Sequence, residues 1–204
     1  MLKDKTVSEF LKALSSASPA PGGGSASALG GAMAVGLFEM AVRITYKNVP
    51  ELIDPFLAKL VPLREQGVSL IDEDTEAFRI VMEAYGLPKD GEEERKARSV
   101  KIQAALRRAT EVPLRTAENS LALMQGGQEL IALCRESCMS DAAVGFFLAE
   151  AAFKGALANV ELNLSSLKDE AYVGEVRERV RVMRKWHEEQ AGVVHLLIAH
   201  RLGY

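Results

Sequence analysis

Pro19-Ala20-Pro21-Gly22-Gly23-Gly24-Ser25 opens onto Ala26-Ser27-Ala28-Leu29-Gly30-Gly31-Ala32-Met33-Ala34, and no charged residue occurs from Ala13 to Phe38. Two prolines and three glycines spell a turn. Ser25 suits a helix N-cap, and the small residues beyond it predict a helix from Ser25 to about Lys47. Such a helix has little side chain to bury, so its backbone must approach another helix or a ligand closely. Ala28, Ala32 and Gly36 stand at i, i+4 and i+8, a face on which a neighbouring helix can pack. The run is not a P-loop, because no Lys-Ser or Lys-Thr follows the glycines. It is not a dinucleotide fingerprint either, because no strand precedes it and the third glycine is missing. A glycine-rich loop at a helix N-terminus still presents free N–H groups that suit an anion.

Working outward, helical signals dominate. Thr6-Val7-Ser8-Glu9 is a capping box that starts a short helix ending near Ser15. Pro50 restarts the chain into a long helix reaching Tyr85, and Gly86-Leu87-Pro88-Lys89-Asp90-Gly91 is a loop. Glu92-Glu93-Glu94 begins the next helix with acids, as the helix dipole favours. Pro113 lies inside that helix, where it should kink it and free the carbonyl of Ala109. Gly126-Gly127 predicts a break, with a shorter helix running on to Cys134 and Cys138. Ser140 caps a helix to about Leu167. Val173, Val176, Val180, Met183, Val194 and Leu197 give the last helix its apolar rhythm. No alternating strand and no repeat is evident. The expected fold class is all-α: one domain over residues 1–204, a bundle of six to eight helices with two or more long ones.

A net charge of −3 on 204 residues argues against a nucleic-acid binder, which carries a basic face. Two cysteines are too few for a disulfide scaffold and point to a reducing cytoplasmic compartment. The N-terminus shows no apolar signal core. The uncharged run reads as no membrane span, because Pro, Gly and Ser fill its first half and Glu39 and Arg43 close it.

Three constellations carry possible chemistry. In Asp72-Glu73-Asp74-Thr75-Glu76-Ala77-Phe78, helical spacing places Asp74 at the edge of a stripe of Ile71, Phe78, Met82 and Tyr85, with the other acids pointing away. A carboxylate facing a core loses hydration and its pKa rises, which suits a general acid or base. The alternative is that Asp74 pairs with an arginine of another helix. On the helix after Ser140, Asp141, Gly145, Leu148, Ala152, Asn159 and Asn163 share one face. Asn159 and Asn163 are adjacent turns, able to read a heterocycle with amide-like edges or to bridge helices. The glycine loop is the third. Cys134, Cys138, His187, His195 and His200 do not make a metal motif: no His-Glu-x-x-His occurs, and a packed His187 and inert thiols are the expectation.

Taken in order, Pro-Ala-Pro-Gly-Gly-Gly-Ser, Asp74-Thr75-Glu76-Ala77-Phe78, Leu87-Pro88-Lys89, Val112-Pro113, Ser140-Asp141 and Asn159-Val160-Glu161-Leu162-Asn163-Leu164 resemble the formiminotransferase-cyclodeaminase C-terminal family. The resemblance covers nearly the whole chain. It implies an all-helical subunit, usually a homodimer, that acts on a one-carbon tetrahydrofolate without a metal or further cofactor. The implied activities are hydrolysis of methenyltetrahydrofolate or cyclisation of formiminotetrahydrofolate with ammonia release. Asp74 is then the expected acid/base and Asp141 its partner or a pterin anchor. Asn159 and Asn163 would orient the substrate, and Gly22, Gly23, Gly24 and Ser25 would bind its backbone or glutamate tail. Where the family carries Leu-Thr-x-Gly-Lys and further lysines, this chain reads Ile44-Thr45-Tyr46-Lys47-Asn48, leaving Lys47 as the basic contact. No formiminotransferase domain is expected within these residues. A folate-binding relative without chemistry and a helical interaction module, docking through the small-residue helix, are the other classes open at this point.

Overall fold

The computed structural model describes residues 1–203. Six α-helices follow in order: α1 (Val7–Leu14), α2 (Gly23–Thr45), α3 (Ile53–Tyr85), α4 (Glu92–Leu133), α5 (Met139–Leu164) and α6 (Glu170–Leu202). Short 3-10 turns lie at Leu2–Asp4, Pro50–Leu52 and Glu136–Cys138. No strand occurs among the described residues. The capping box predicted for α1 is present, with the Thr6 hydroxyl accepting from the Glu9 backbone and Glu9 reaching back.

The small-residue helix α2 is the axis of the bundle and packs against α3, α4 and α5. It meets α5 in antiparallel register. A side chain at Gly23 would meet Asn159, one at Gly155 would meet Ser27, one at Gly31 would meet Ala152, and one at Gly145 would meet Phe38. At the far end Thr45 meets Cys138. Each turn of α2 thus faces a turn of α5 with a glycine or alanine on one side, which is why the two backbones come so close. On its other side Ala32 abuts Gly67 of α3. Ala28 and Ala32 are buried as expected, but a side chain at Gly36 would meet nothing within 4 Å.

Four expectations need correction. Ser25 is not the cap of α2: the helix begins at Gly23 with Gly22 as N-cap, and Ser25 turns its hydroxyl inward onto α3. Ser140 lies inside the first turn of α5, whose N-cap is Cys138. Gly126-Gly127 does not break α4, which runs 42 residues from Glu92 to Leu133, about 63 Å. The reason for Gly127 is packing: a Cβ there would overlap the Cε2–Cζ edge of the Phe38 ring, whose opposite edge is clamped by Gly145. Gly127→Ala should therefore destabilise the fold by about 1–3 kcal/mol, the cost of overpacking. Gly126→Ala, where a Cβ meets nothing within 4 Å, should stabilise it by roughly 0.5–1 kcal/mol through helix propensity. Denaturant titration of the two variants should give opposite signs; equal signs would refute the clamp.

The fourth concerns membranes. α2 and the Glu136–Leu164 segment are each long and apolar enough to cross a membrane by length and composition. Counting from Gly23 leaves the prolines outside, and Glu39 and Arg43 do not bring the average down enough. A little over half of each apolar window, 56%, is buried inside the bundle.

The last helix buries Val176, Val180, Met183, Val194 and Ile198 in the main core and adds polar contacts to them. Glu150 of α5 is nearly buried and receives the Nε2 atoms of His187 (2.8 Å) and His195 (2.9 Å) from α6, and Lys154 Nζ at 2.8 Å. Burial pushes the Glu150 carboxyl up, but those three partners outweigh it and hold it at about 2. His187 stacks on Phe153 at 5.5 Å between ring centroids, the packed histidine expected. Cys134 and Cys138 are free and buried, and burial pushes the Cys134 thiol up.

Candidate functional site

The glycine turn, the middle of α3, the α4 residue Ala109 and the C-terminal part of α5 enclose a cavity of about 290 Å³. Asp74, Phe78, Gly24, Ala109, Asn159 and Asn163 are the lining residues that matter. The volume lies at the small end of ligand pockets, enough for a bicyclic ring with any extension left outside.

Asp74 comes from α3 and faces the first turn of α2. Its only hydrogen-bond partner among the described side chains is Ser25, whose Oγ lies 2.9 Å from Oδ2. The arginine pairing that sequence left open is absent among the described residues. Ser25 Oγ is also 3.0 Å from the Ile71 carbonyl and 3.2 Å from Thr75 Oγ1. A hydroxyl carries one proton, so Ser25 serves either the carboxylate or the carbonyl at a time. When Asp74 is ionised, Ser25 donates to it. When Asp74 is protonated, the carboxyl can donate to Ser25 and Ser25 to Ile71. Both protonation states are thereby satisfied in one geometry. Burial pushes the Asp74 carboxyl above its ordinary range, and the Ser25 bonds only partly oppose it. The other acids of this stretch are engaged elsewhere: Asp72 accepts the Leu2 backbone N–H, Glu73 takes Ser69 and Arg115, and Glu76 pairs with Arg79. The predicted apolar stripe holds at Ile71 but not at Met82 and Tyr85, which are exposed; Ala77, Val81 and Ala84 face the core instead.

Asn159 and Asn163 line the same cavity one turn apart. Asn163 Nδ2 donates to the Ala109 carbonyl at 2.7 Å, so it does bridge helices. Asn159 Nδ2 donates to Gly155 O at 2.9 Å. Neither side-chain oxygen is taken up by a hydrogen bond among the described residues.

The structure brings together Gly22, Gly23, Gly24, Asp74, Asn159 and Asn163. It does not bring Asp141 or Lys47 to them within this chain. Asp141 is in the first turn of α5, 18 residues and about 27 Å of helix from Asn159. Lys47 follows the end of α2, about 35 Å from the glycine turn. The α2–α5 register puts both at the same far end of the bundle. Ser25 is in the site but fully buried, so it holds Asp74 rather than touching a substrate. Gly24, expected as a substrate contact, has a second role that sequence reading did not show: a Cβ there would overlap the Asp74 carboxylate. Its signal was a glycine where a helix has already begun. No set of three or more His, Cys, Asp or Glu side chains is placed to hold a metal among the described residues.

Comparisons with known proteins agree on one lineage. The model of the formiminotransferase-cyclodeaminase family matches residues 6–182. The chain is 37% identical over 180 residues to a methenyltetrahydrofolate cyclohydrolase of Methylorubrum extorquens, covering 86% of each protein. It is 35% identical to the formimidoyltransferase-cyclodeaminase of Sus scrofa over 95% of this chain, and spans 37% of that longer protein. The crystal structure of formiminotetrahydrofolate cyclodeaminase from Thermotoga maritima superposes with a TM-score of 0.81 at 26% identity, covering 99% of this chain and 98% of that one.

Proposed function

This chain belongs to the formiminotransferase-cyclodeaminase family, and from that premise we propose that it is a one-carbon tetrahydrofolate enzyme whose acid/base is Asp74. The observation that carries the reading is a part-buried carboxyl of raised pKa, facing a ring-sized cavity beside two amides. Hydrolysis of methenyltetrahydrofolate is the leading activity. The relative named for it matches along 86% of both lengths. Water attacks the methenyl carbon and gives one proton to Asp74; the carbon–N5 bond then breaks as Asp74 returns that proton to N5, and the new hydroxyl loses its proton to solvent to leave the formyl group on N10. Cyclodeamination is the second reading, favoured by the superposed Thermotoga maritima structure. There N10 attacks the formimino carbon on N5, Asp74 removes the N10 proton and returns one to the nitrogen that leaves as ammonia. Either way the cavity holds the reacting atoms together. The amides of Asn159 and Asn163 meet the pterin, and the Gly22–Gly24 turn borders the substrate where it leaves the cavity. No metal or cofactor beyond the folate enters either scheme.

A homodimer in the cytoplasm is the state we assign. Met33, Met40 and Ile44 leave an exposed apolar seam along α2, and Val144 and Phe147 of α5 are exposed as well. A monomer mass in sedimentation would overturn the dimer. The activity is tested by two assays on one preparation, loss of methenyl absorbance and release of ammonia from the formimino substrate. The first should respond; ammonia release alone would select the second reading. Silence in both, with folate-induced thermal stabilisation, would mean a binding protein without chemistry.

A further inference from the structure

We propose that Pro113, which is absent from the cavity wall, is a positioning residue that sets the ligand-facing edge of Asn163. The inference rests on the folate reading of the cavity. Pro113 is buried inside α4 and has no N–H, so the Ala109 carbonyl lacks its donor four residues on. Ala109 and Asn163 both line the cavity, and Asn163 Nδ2 of α5 supplies the missing donor to that carbonyl at 2.7 Å. A buried carbonyl accepts only from a donor, so this contact fixes which way the amide lies: nitrogen to Ala109, oxygen free. Asn159 is fixed in the same sense by Gly155 O. Two carbonyl oxygens one helical turn apart are then held toward the ligand. They match a ring edge that carries adjacent N–H donors, as the amino-oxo edge of a pterin does, and mismatch an edge of acceptors. The proline inside a long helix thus has a task at the cavity.

With alanine at 113 the restored N–H competes for Ala109 O, and the Asn163 amide is released to rotate. Pro113→Ala should raise the KM for the folate substrate about 3–10-fold, the worth of one hydrogen bond, with kcat unchanged. Its melting temperature should stay level or rise, because a helical bond is regained. Asn163→Ala should raise KM similarly, and the double variant should be no worse than Asn163→Ala, since both act through one contact. The side-chain amide resonance of Asn163 should shift in Pro113→Ala without any ligand. An unshifted resonance, an unchanged KM, or effects that multiply in the double variant would each overturn the relay. Pro113→Ser, which also carries an N–H, repeats the test should the alanine variant fold poorly. Wild-type protein that neither binds nor turns over folate would instead overturn the folate reading, and the amide resonance would still decide the relay.

Discussion

Asp74→Asn is expected to lower turnover at least about 10²-fold, the usual scale of a lost general acid or base, while the protein keeps its fold and its thermal stability. The second half of that expectation distinguishes it from ordinary damage to a core. A buried carboxyl whose pKa is raised holds its proton more tightly folded than unfolded. The folded state therefore loses stability as pH rises past the unfolded value, so ionising Asp74 in the fold is a net cost. The amide removes that charge, and its oxygen can still accept from Ser25. Melting curves and initial rates on the same samples check both halves. Near-normal turnover would sink the assignment of Asp74; a collapsed fold would show that its role is structural.

The pH profile of the wild type tests the base role of Asp74 in both activities. Asp74 starts ionised whether it takes the proton of water or of N10, so kcat/KM falls as pH drops through its raised pKa. A fall as pH climbs through the same range would mean that the protonated form acts first, and would overturn both schemes as written. The limb sits above the ordinary carboxylate range in either case, because burial dominates and no cation offsets it.

Much of this was legible along the chain and less of it across the chain. The main helices, the capping box of α1, the loop before Glu92 and the carbonyl that Pro113 frees from the α4 ladder all follow from local rules. The singling out of Asp74 among four acids came from helical spacing alone. What failed was of two kinds. Gly126-Gly127 looked like punctuation because glycine is a poor helix former, yet the demand for Gly127 comes from Phe38, about 90 positions away. Asp141 and Asn163 do share a face of α5, but a common face is not a common place when the helix runs 26 residues. Helical arithmetic gives angle and rise together, and the rise alone was enough to part Asp141 from the cavity. Ser25 was correctly drawn into the site, but its partner lies 49 positions on, beyond any local rule.

Gly24→Ala should abolish turnover as thoroughly as Asp74→Asn, though nothing about Gly24 is chemical. A Cβ at this position would lie within 3.0 Å of Oδ1, Cγ and Oδ2 of Asp74, closer than real side chains approach. Backbone strain is not the reason, since the only positive-φ glycine among the described residues is Gly203. The methyl group would have to displace the carboxylate, breaking its bond to Ser25 and turning it away from the cavity. The cost in stability should be about 1–3 kcal/mol, from overpacking and the lost bond, so this variant, unlike Asp74→Asn, loses activity and stability together. The neighbouring glycines supply the control. A Cβ at Gly22 meets only the Pro19 carbonyl at 3.8 Å, and one at Gly23 meets Asn159 Nδ2 at 3.6 Å, both ordinary contacts. Gly22→Ala and Gly23→Ala should therefore keep most of the wild-type kcat/KM. Equal collapse of all three would mean that the turn works as an anion-binding loop along its whole length. A loss confined to Gly24 would mean that the third glycine is there to leave a slot for the Asp74 carboxylate.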